Sequence, residues 1–251
     1  MKNIKLQIAY DGTSYLGWQK TSLGPTIEAS LEKVLERILQ HPVTLQAASR
    51  TDAGVHAHGQ VINFFTTREL LNYESFKISL NQLLPPSIAV LEAQEASQNF
   101  HPTLDCIQKE YHYFICKGAV QMPHNRLYSW HCPRLSKLAE MKAAAKLLVG
   151  KKDFSAFCNF KKHVHYASFV RQVDGIEIQE VFPDRLLFKV VGQSFLYKMV
   201  RNIVGTLAYI GMGKMLGSQI PAILANHDRR LAGITAPAHG LCLYQLKYLP
   251  A

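Results

Sequence analysis

Cysteine is scarce in this 251-residue sequence and poorly placed for crosslinking: Cys106, Cys116, Cys132, Cys158 and Cys242 are odd in number, scattered, and form no Cys-x-x-Cys pair. Neither a disulfide framework nor a zinc knuckle can follow from that pattern. No apolar run reaches the roughly 18 residues that a membrane span needs. The opening Met1-Lys2-Asn3-Ile4-Lys5-Leu6 alternates polar and apolar residues as a strand does, and lacks the apolar stretch of a signal peptide. The expectation is a cytoplasmic protein without a membrane segment. Ser, Gln and Gly tracts are missing as well, so the chain should be globular throughout. Acidic residues are the remaining shortage. Against 18 Asp and Glu stand 28 Lys and Arg, a formal net charge of +10, for which a polyanionic partner is the simplest explanation.

Periodicity supplies the elements. Lys5 to Tyr10 reads as a strand ended by the turn Asp11-Gly12-Thr13-Ser14. Ile27, Leu31, Val34, Leu35 and Ile38 fall at helical spacing after Pro25-Thr26, and His41-Pro42 stops that helix. Strands follow across Thr44 to Ala48 and Gly59 to Phe65. Tyr73, Phe76, Leu80, Leu83 and Leu84 form a second helical stripe before Pro85-Pro86, and Ile88 to Ala96 returns as a strand.

From Glu110 the order repeats. A strand over Glu110 to Lys117 precedes a helix carrying Leu135, Leu138, Met141, Ala145 and Leu148, with Gly150 at its C-terminal cap. Arg171 to Val181 and Arg185 to Val191 read as a hairpin about Pro183-Asp184. A long helix is expected from Phe195 to Tyr209, a shorter one from Ser218 with Pro221 in its first turn, and a last strand over Leu241 to Tyr248. The reading is an α+β fold, with helices covering one face of a largely antiparallel sheet and the other face free to bind. The only plausible boundary lies between Phe100 and Glu110, giving halves 1–105 and 106–251 without a flexible linker.

One stretch concentrates chemistry. Ala48-Ser49-Arg50-Thr51-Asp52-Ala53-Gly54-Val55-His56-Ala57 sets a basic, a hydroxyl and an acidic residue in a row between two strands, where sites are often carried. The residue types also permit a plain Asp-Ala-Gly turn in which Gly54 supplies a positive φ. Ser49 to His56 resembles the signature of the tRNA pseudouridine synthase A family, catalytic aspartate included. Further blocks extend the resemblance along most of the chain: Tyr10-Asp11-Gly12, Gly17-Trp18-Gln19, Asp153-Phe154-Ser155-Ala156-Phe157, the run from Ser194 to Arg201, and Ala236 to Leu241.

The resemblance implies conversion of uridine to pseudouridine on the 3′ side of the anticodon stem-loop of tRNA. It also implies a homodimer of subunits that each pair two similar α+β halves about a central sheet, with an RNA-binding cleft. That reaction breaks the N1–C1′ bond, turns the base and joins C5 to C1′, with no redox change and no group lost, so no cofactor is required. The aspartate, Asp52 here, can serve as nucleophile or as a base, and must be ionised for either. By the same resemblance Arg201 is its charge partner, although an arginine beside an apolar stripe can also snorkel to solvent. Tyr111 would pack on the target base and could exchange a proton at C5. Its alternation with Tyr113 and Ile115 equally fits a core aromatic, and both readings can hold together. Extruding a paired uridine costs a few kcal/mol of stacking and pairing, and Arg50 resembles the residue that holds the base out.

Lys151, Lys152, Lys161 and Lys162 read as phosphate contacts or a solvated face. The pairs His56 with His58 and His163 with His165 are rejected as metal sites, because no cysteine or carboxylate accompanies them at zinc-site spacing. Thr103, in a Phe-His context where the family often has arginine, and Glu110, beside Tyr111, depart from the pattern and put individual RNA contacts in question. A non-catalytic tRNA-binding protein and a hydrolase using Asp52 to activate water are the rivals. The joint presence of Asp52, Tyr111 and Arg201 argues against both.

Overall fold

The computed structural model describes residues 1–160 and 166–249. It has two compact units, one of Met1–Ile107 with Cys242–Ala251 and one of Gln108–Leu241. The final strand, assigned from sequence order to the C-terminal half, therefore packs with the first unit.

In the first unit, β1 (Lys2–Tyr10) lies between β3 (His56–Thr66) and β4 (Ile88–Ala96), antiparallel to both. The far edge of β3 is joined by β10 (Leu241–Tyr248), which runs parallel to it through Cys242 opposite His56 and Leu243 opposite Ala57. β2 is only Gln46–Ala47, shorter than expected, whereas β3 is longer. The reason is burial: most of β3 is inaccessible on both faces, so its polar His56 and Gln60 sit inside and obscure the alternation that marks a half-exposed strand.

Helix α1 (Ile27–Leu39) starts where Thr26 accepts a hydrogen bond from Ala29 N. It buries Ile27, Leu31, Leu35 and Leu39, an i, i+4 row along one face. Helix α2 (Tyr73–Leu83) is capped likewise by Asn72, which accepts from Ser75 N, and buries Phe76 and Leu80.

In the second unit, β5 (Cys106–Cys116), β9 (Arg185–Gly192), β8 (Val170–Phe182) and β7 (Gly150–Asp153) lie side by side in that order, all antiparallel, with β6 (Trp130–His131) parallel to the end of β5. The helices are α3 (Leu138–Leu147), α4 (Met199–Gly211) and α5 (Ile220–Asn226). The α+β assignment and the hairpin about Pro183-Asp184 stand.

Several helix boundaries differ from the expected ones, among them α5, which begins at Ile220 after a separate turn over Gly217–Gln219 rather than at Ser218. Gly150 has the positive φ of a cap, 106°, but it opens β7, and the residue that caps α3 is Leu148, two positions earlier. Leu135 lies before α3, because the main-chain N–H groups of Ser136 and Lys137 both donate to Gly211 O, at 3.0 Å each, and so cap α4. α4 itself begins at Met199 rather than Phe195: Lys198 is left-handed at φ 60°, and Met199 N bonds Leu196 O in a separate turn. Leu196 and Val200 are both buried, which gives helical spacing across a break. No helix among the described residues is long and apolar enough to cross a membrane.

Candidate active site

The Asp52 loop joins β2 to β3 and is held at both ends and in its middle. At the entry, Ala48 N donates to Val61 O at 2.9 Å. The fully buried Gln60 side chain then brackets Ser49, accepting from its N–H at 3.3 Å and donating to its carbonyl at 2.6 Å. In the middle, Thr51 Oγ1 lies 2.8 Å from Tyr10 Oη, and Thr51 O accepts from Trp18 N at 3.0 Å. At the exit, Val55 N donates to Asp52 O at 3.1 Å and Gly54 takes φ 76°, which is the turn that the Asp-Ala-Gly sequence encodes. Asp52 is half-buried and Arg50 exposed on this loop.

Two glycines let other backbone close on it. A Cβ on Gly12 would lie 2.0 Å from Val55 O, and one on Gly17, at φ 99°, would lie 2.7 Å from Thr51 O. His56, 6% exposed, places Nδ1 3.2 Å from Gly12 N and 3.1 Å from Asp11 Oδ1, and so ties the Asp11-Gly12 turn to the start of β3. His58 instead stacks on Tyr244 of β10, with ring centroids 4.9 Å apart. Each histidine of the pair thus has its own partner, and no group of three or more metal-ligating side chains is gathered among the described residues.

The blocks Tyr10-Asp11-Gly12 and Gly17-Trp18-Gln19 have no task legible in the sequence alone. The structure makes them the loop's support. The signal available was the glycine in each block, since glycine is needed where backbone approaches backbone. Gln60 left no such signal. Replacing it with alanine removes both bonds to Ser49 from a water-free position, so Gln60→Ala should destabilise the protein by about 1–3 kcal/mol, measured by urea unfolding.

The second unit holds the other residues singled out. Tyr111 stands on β5 opposite Val190, is 7% exposed, and meets the ring of Phe195 edge-on at 5.4 Å. Arg201, half-buried in the first turn of α4, donates from Nε to Ala236 O at 2.8 Å, and its own carbonyl accepts from Ala236 N at 3.1 Å. Burial drives the Tyr113 phenol far above its ordinary range, and the nearby Arg201 charge opposes that rise. Tyr113, two residues from Tyr111 and fully buried, donates its hydroxyl to Pro237 O at 2.8 Å.

Lys151, exposed, and Lys152, half-buried, lie on β7 opposite Gln172 and Arg171. Lys161, Lys162, His163 and His165 fall outside the described residues. The two departures acquire explanations in packing. Thr103 Oγ1 donates to Ala47 O at 2.7 Å, immediately before the Asp52 loop. Glu110 is buried, with Oε1 2.7 Å from His112 Nε2 and 3.4 Å from Lys189 Nζ.

The sequence model for tRNA pseudouridine synthase matches residues 7–105 and 144–249, which takes in the Asp52 loop and its supports in one segment and β7, α4 and β10 in the other. The chain belongs to the tRNA pseudouridine synthase family. A tRNA pseudouridine synthase A 2 from Protochlamydia amoebophila is 54% identical over 99% of this chain and 95% of its own length. The tRNA pseudouridine synthases A of Geotalea daltonii and Moorella thermoacetica are 42% and 41% identical, each over 99% of this chain and the whole of the relative. As a member of this synthase family the chain is an isomerase.

Proposed function

We propose that this synthase isomerises uridine to pseudouridine on the 3′ side of the anticodon stem-loop of tRNA, with Asp52 as the catalytic carboxylate. The supporting observation is the way its loop is built: bonds fix the main chain at Ser49, Thr51 and Val55, while the chain between them presents a half-buried Asp52 beside an exposed Arg50. A carboxylate that must reach C1′ of an extruded nucleotide needs that combination of fixed backbone and accessible head group.

As nucleophile, Asp52 would form a bond to C1′ as the N1–C1′ bond breaks, and be displaced when C5 attacks C1′. As base, it would take the C2′ proton of the ribose as the N1–C1′ bond breaks and return it to C2′ as C5 bonds to C1′. In either case C5 loses its proton after the new bond forms. Arg50 is assigned to holding the base out. Tyr111 and Arg201 take the roles that the family resemblance implies for them, Tyr111 against the target base and Arg201 as the cation serving the carboxylate. Lys151, Lys152, Lys161 and Lys162 are assigned to phosphate contact, and the resemblance also supports a homodimer.

The test is incubation of the purified protein with unmodified tRNA transcript in EDTA, followed by carbodiimide-blocked primer extension. New stops confined to the anticodon arm are expected, and no stops would remove the reading. Persistence in EDTA separates it from a metal-dependent hydrolase.

Affinity for tRNA should fall steeply with salt, because lysines that neutralise phosphates release counterions. Lys151→Ala with Lys152→Ala is expected to flatten the slope of log affinity against log salt by about 0.7–0.9 per lysine. Filter binding across a salt series measures it. An unchanged slope would assign both lysines to a solvated face.

A further inference from the structure

The segment that brackets Arg201 has no helix or strand bonds of its own. Residues 233–237 run alongside α4 as irregular chain, from Thr206 to Arg201, yet Ala236 within it is fully buried and holds Arg201 by two bonds, one to its side chain and one to its carbonyl. Something must fix that segment on the helix.

Close backbone packing supplies part of the answer. A Cβ on Gly205 would lie 1.8 Å from Ile234 O, and one on Gly233 would lie 2.6 Å from Thr206 Cα. Thr206 Oγ1 accepts from Gly233 N at 2.9 Å while donating to Asn202 O at 2.7 Å.

Arg229 supplies the rest. Its Nη1 donates to Gly233 O at 2.8 Å, its Nη2 to Asn202 Oδ1 at 2.8 Å and to Thr235 Oγ1 at 3.1 Å, and its Nε to Asn159 Oδ1 at 3.3 Å. Thr235 Oγ1 in turn donates to the same Asn202 Oδ1 at 2.7 Å. Asn202 is completely buried, and its amide nitrogen is committed to Phe157 O and Asn159 Oδ1. Its oxygen must therefore face the guanidinium, which fixes the amide's orientation. Among the described residues, every hydrogen-bond acceptor of Arg229 is a neutral oxygen. A planar fork is needed to reach the segment, the helix and Asn159 at once, and an ammonium on a single stem cannot do so. Burial weakens the guanidinium's hold on its proton without a carboxylate to offset it.

We propose that Arg229 is a positioning residue for the isomerisation, acting by clamping the 233–237 segment onto α4 so that Ala236 holds the Arg201 side chain in its working orientation. This rests on the reading of Arg201 as a residue of the catalytic machinery.

Arg229→Lys keeps charge and approximate length but loses the fork. It should lower single-turnover kcat by about 10- to 100-fold, as displacement of a catalytic group does, with tRNA Kd within twofold of the parent. Arg201→Lys is measured beside it, and the two are combined. If Arg229 works through Arg201, its substitution should lower kcat far less in the Arg201→Lys background than in the parent. An equal loss in both backgrounds, or a parental kcat for Arg229→Lys, would overturn the proposal. A parental kcat for Arg201→Lys together with Arg201→Ala would instead overturn the reading of Arg201. Should Arg229→Lys fail to melt cooperatively, Thr235→Val, which deletes one hydroxyl from the same network, carries the same expectation for kcat and Kd, and an unchanged kcat there overturns the clamp.

Discussion

Asp52→Asn should abolish pseudouridine formation while tRNA binding stays within a few-fold of the parent. The substitution nearly preserves volume and removes only the charge and the nucleophilic or basic oxygen, so it separates chemistry from structure. The bonds from the Ser49 main chain, the Thr51 side chain and carbonyl, and the Asp52 carbonyl survive the substitution and should keep the loop in shape. Residues assigned to RNA contact, Arg50, Lys151 and Lys152, are likewise untouched. Activity, binding and thermal melting should be read on one preparation. A variant that melts and binds like the parent but makes no pseudouridine places the reaction on Asp52. Pseudouridine at anything near the parental rate would remove Asp52 from catalysis and withdraw the mechanism proposed for this loop.

Gly12→Ala is expected to reduce both stability and turnover, and it probes the support rather than the reacting group. The new methyl would sit 2.0 Å from Val55 O and 2.7 Å from Val55 C, and because both atoms are backbone no rotamer change can relieve the overlap. Either the Asp11-Gly12 turn or the Asp52 loop must move. Overpacking of this kind costs about 1–3 kcal/mol, and a shift of the catalytic loop by a fraction of an ångström to one ångström lowers turnover by up to about 100-fold. Gly175→Ala is the matched control, since a Cβ there meets nothing within 4 Å. Melting and single-turnover rates of the two variants should diverge. Equal behaviour would mean that the Gly12–Val55 approach does not hold the loop.

Much of this protein was legible in local sequence. The helix α1 is written in Thr26, which caps it, and in the row Ile27, Leu31, Leu35 and Leu39, which buries it. The strand Ile88–Ala96 and the hairpin about Pro183-Asp184 follow from alternation and turn chemistry in the same way. The Asp52 loop was legible for another reason: its residues are consecutive, and a rare order of residue types can be recognised without knowing what surrounds it.

What local sequence did not reveal depends on partners far along the chain. Leu196 and Val200 have helical spacing, yet a left-handed Lys198 and a hydrogen bond donated by Tyr197 N to Tyr166 Oη break the helix before Met199. Gln60, His56 and Asn202 look like exposed polar residues until the backbone groups they satisfy are brought to them, and Glu110 reads as a lost RNA contact until His112 and Lys189 are seen beside it. By itself the sequence determined the α+β class, the positions of most elements, the family and the residue on which the chemistry is proposed to turn, because each rests on short-range periodicity or on a contiguous motif. Only the tertiary structure decided that the last strand joins the first unit, that Gly12 and Gly17 carry the Asp52 loop, and that Arg229 binds the segment holding Arg201. Those outcomes depend on which backbone and side-chain groups the folded chain brings into contact, many of them tens of residues apart, and no local pattern of side chains specifies such a meeting.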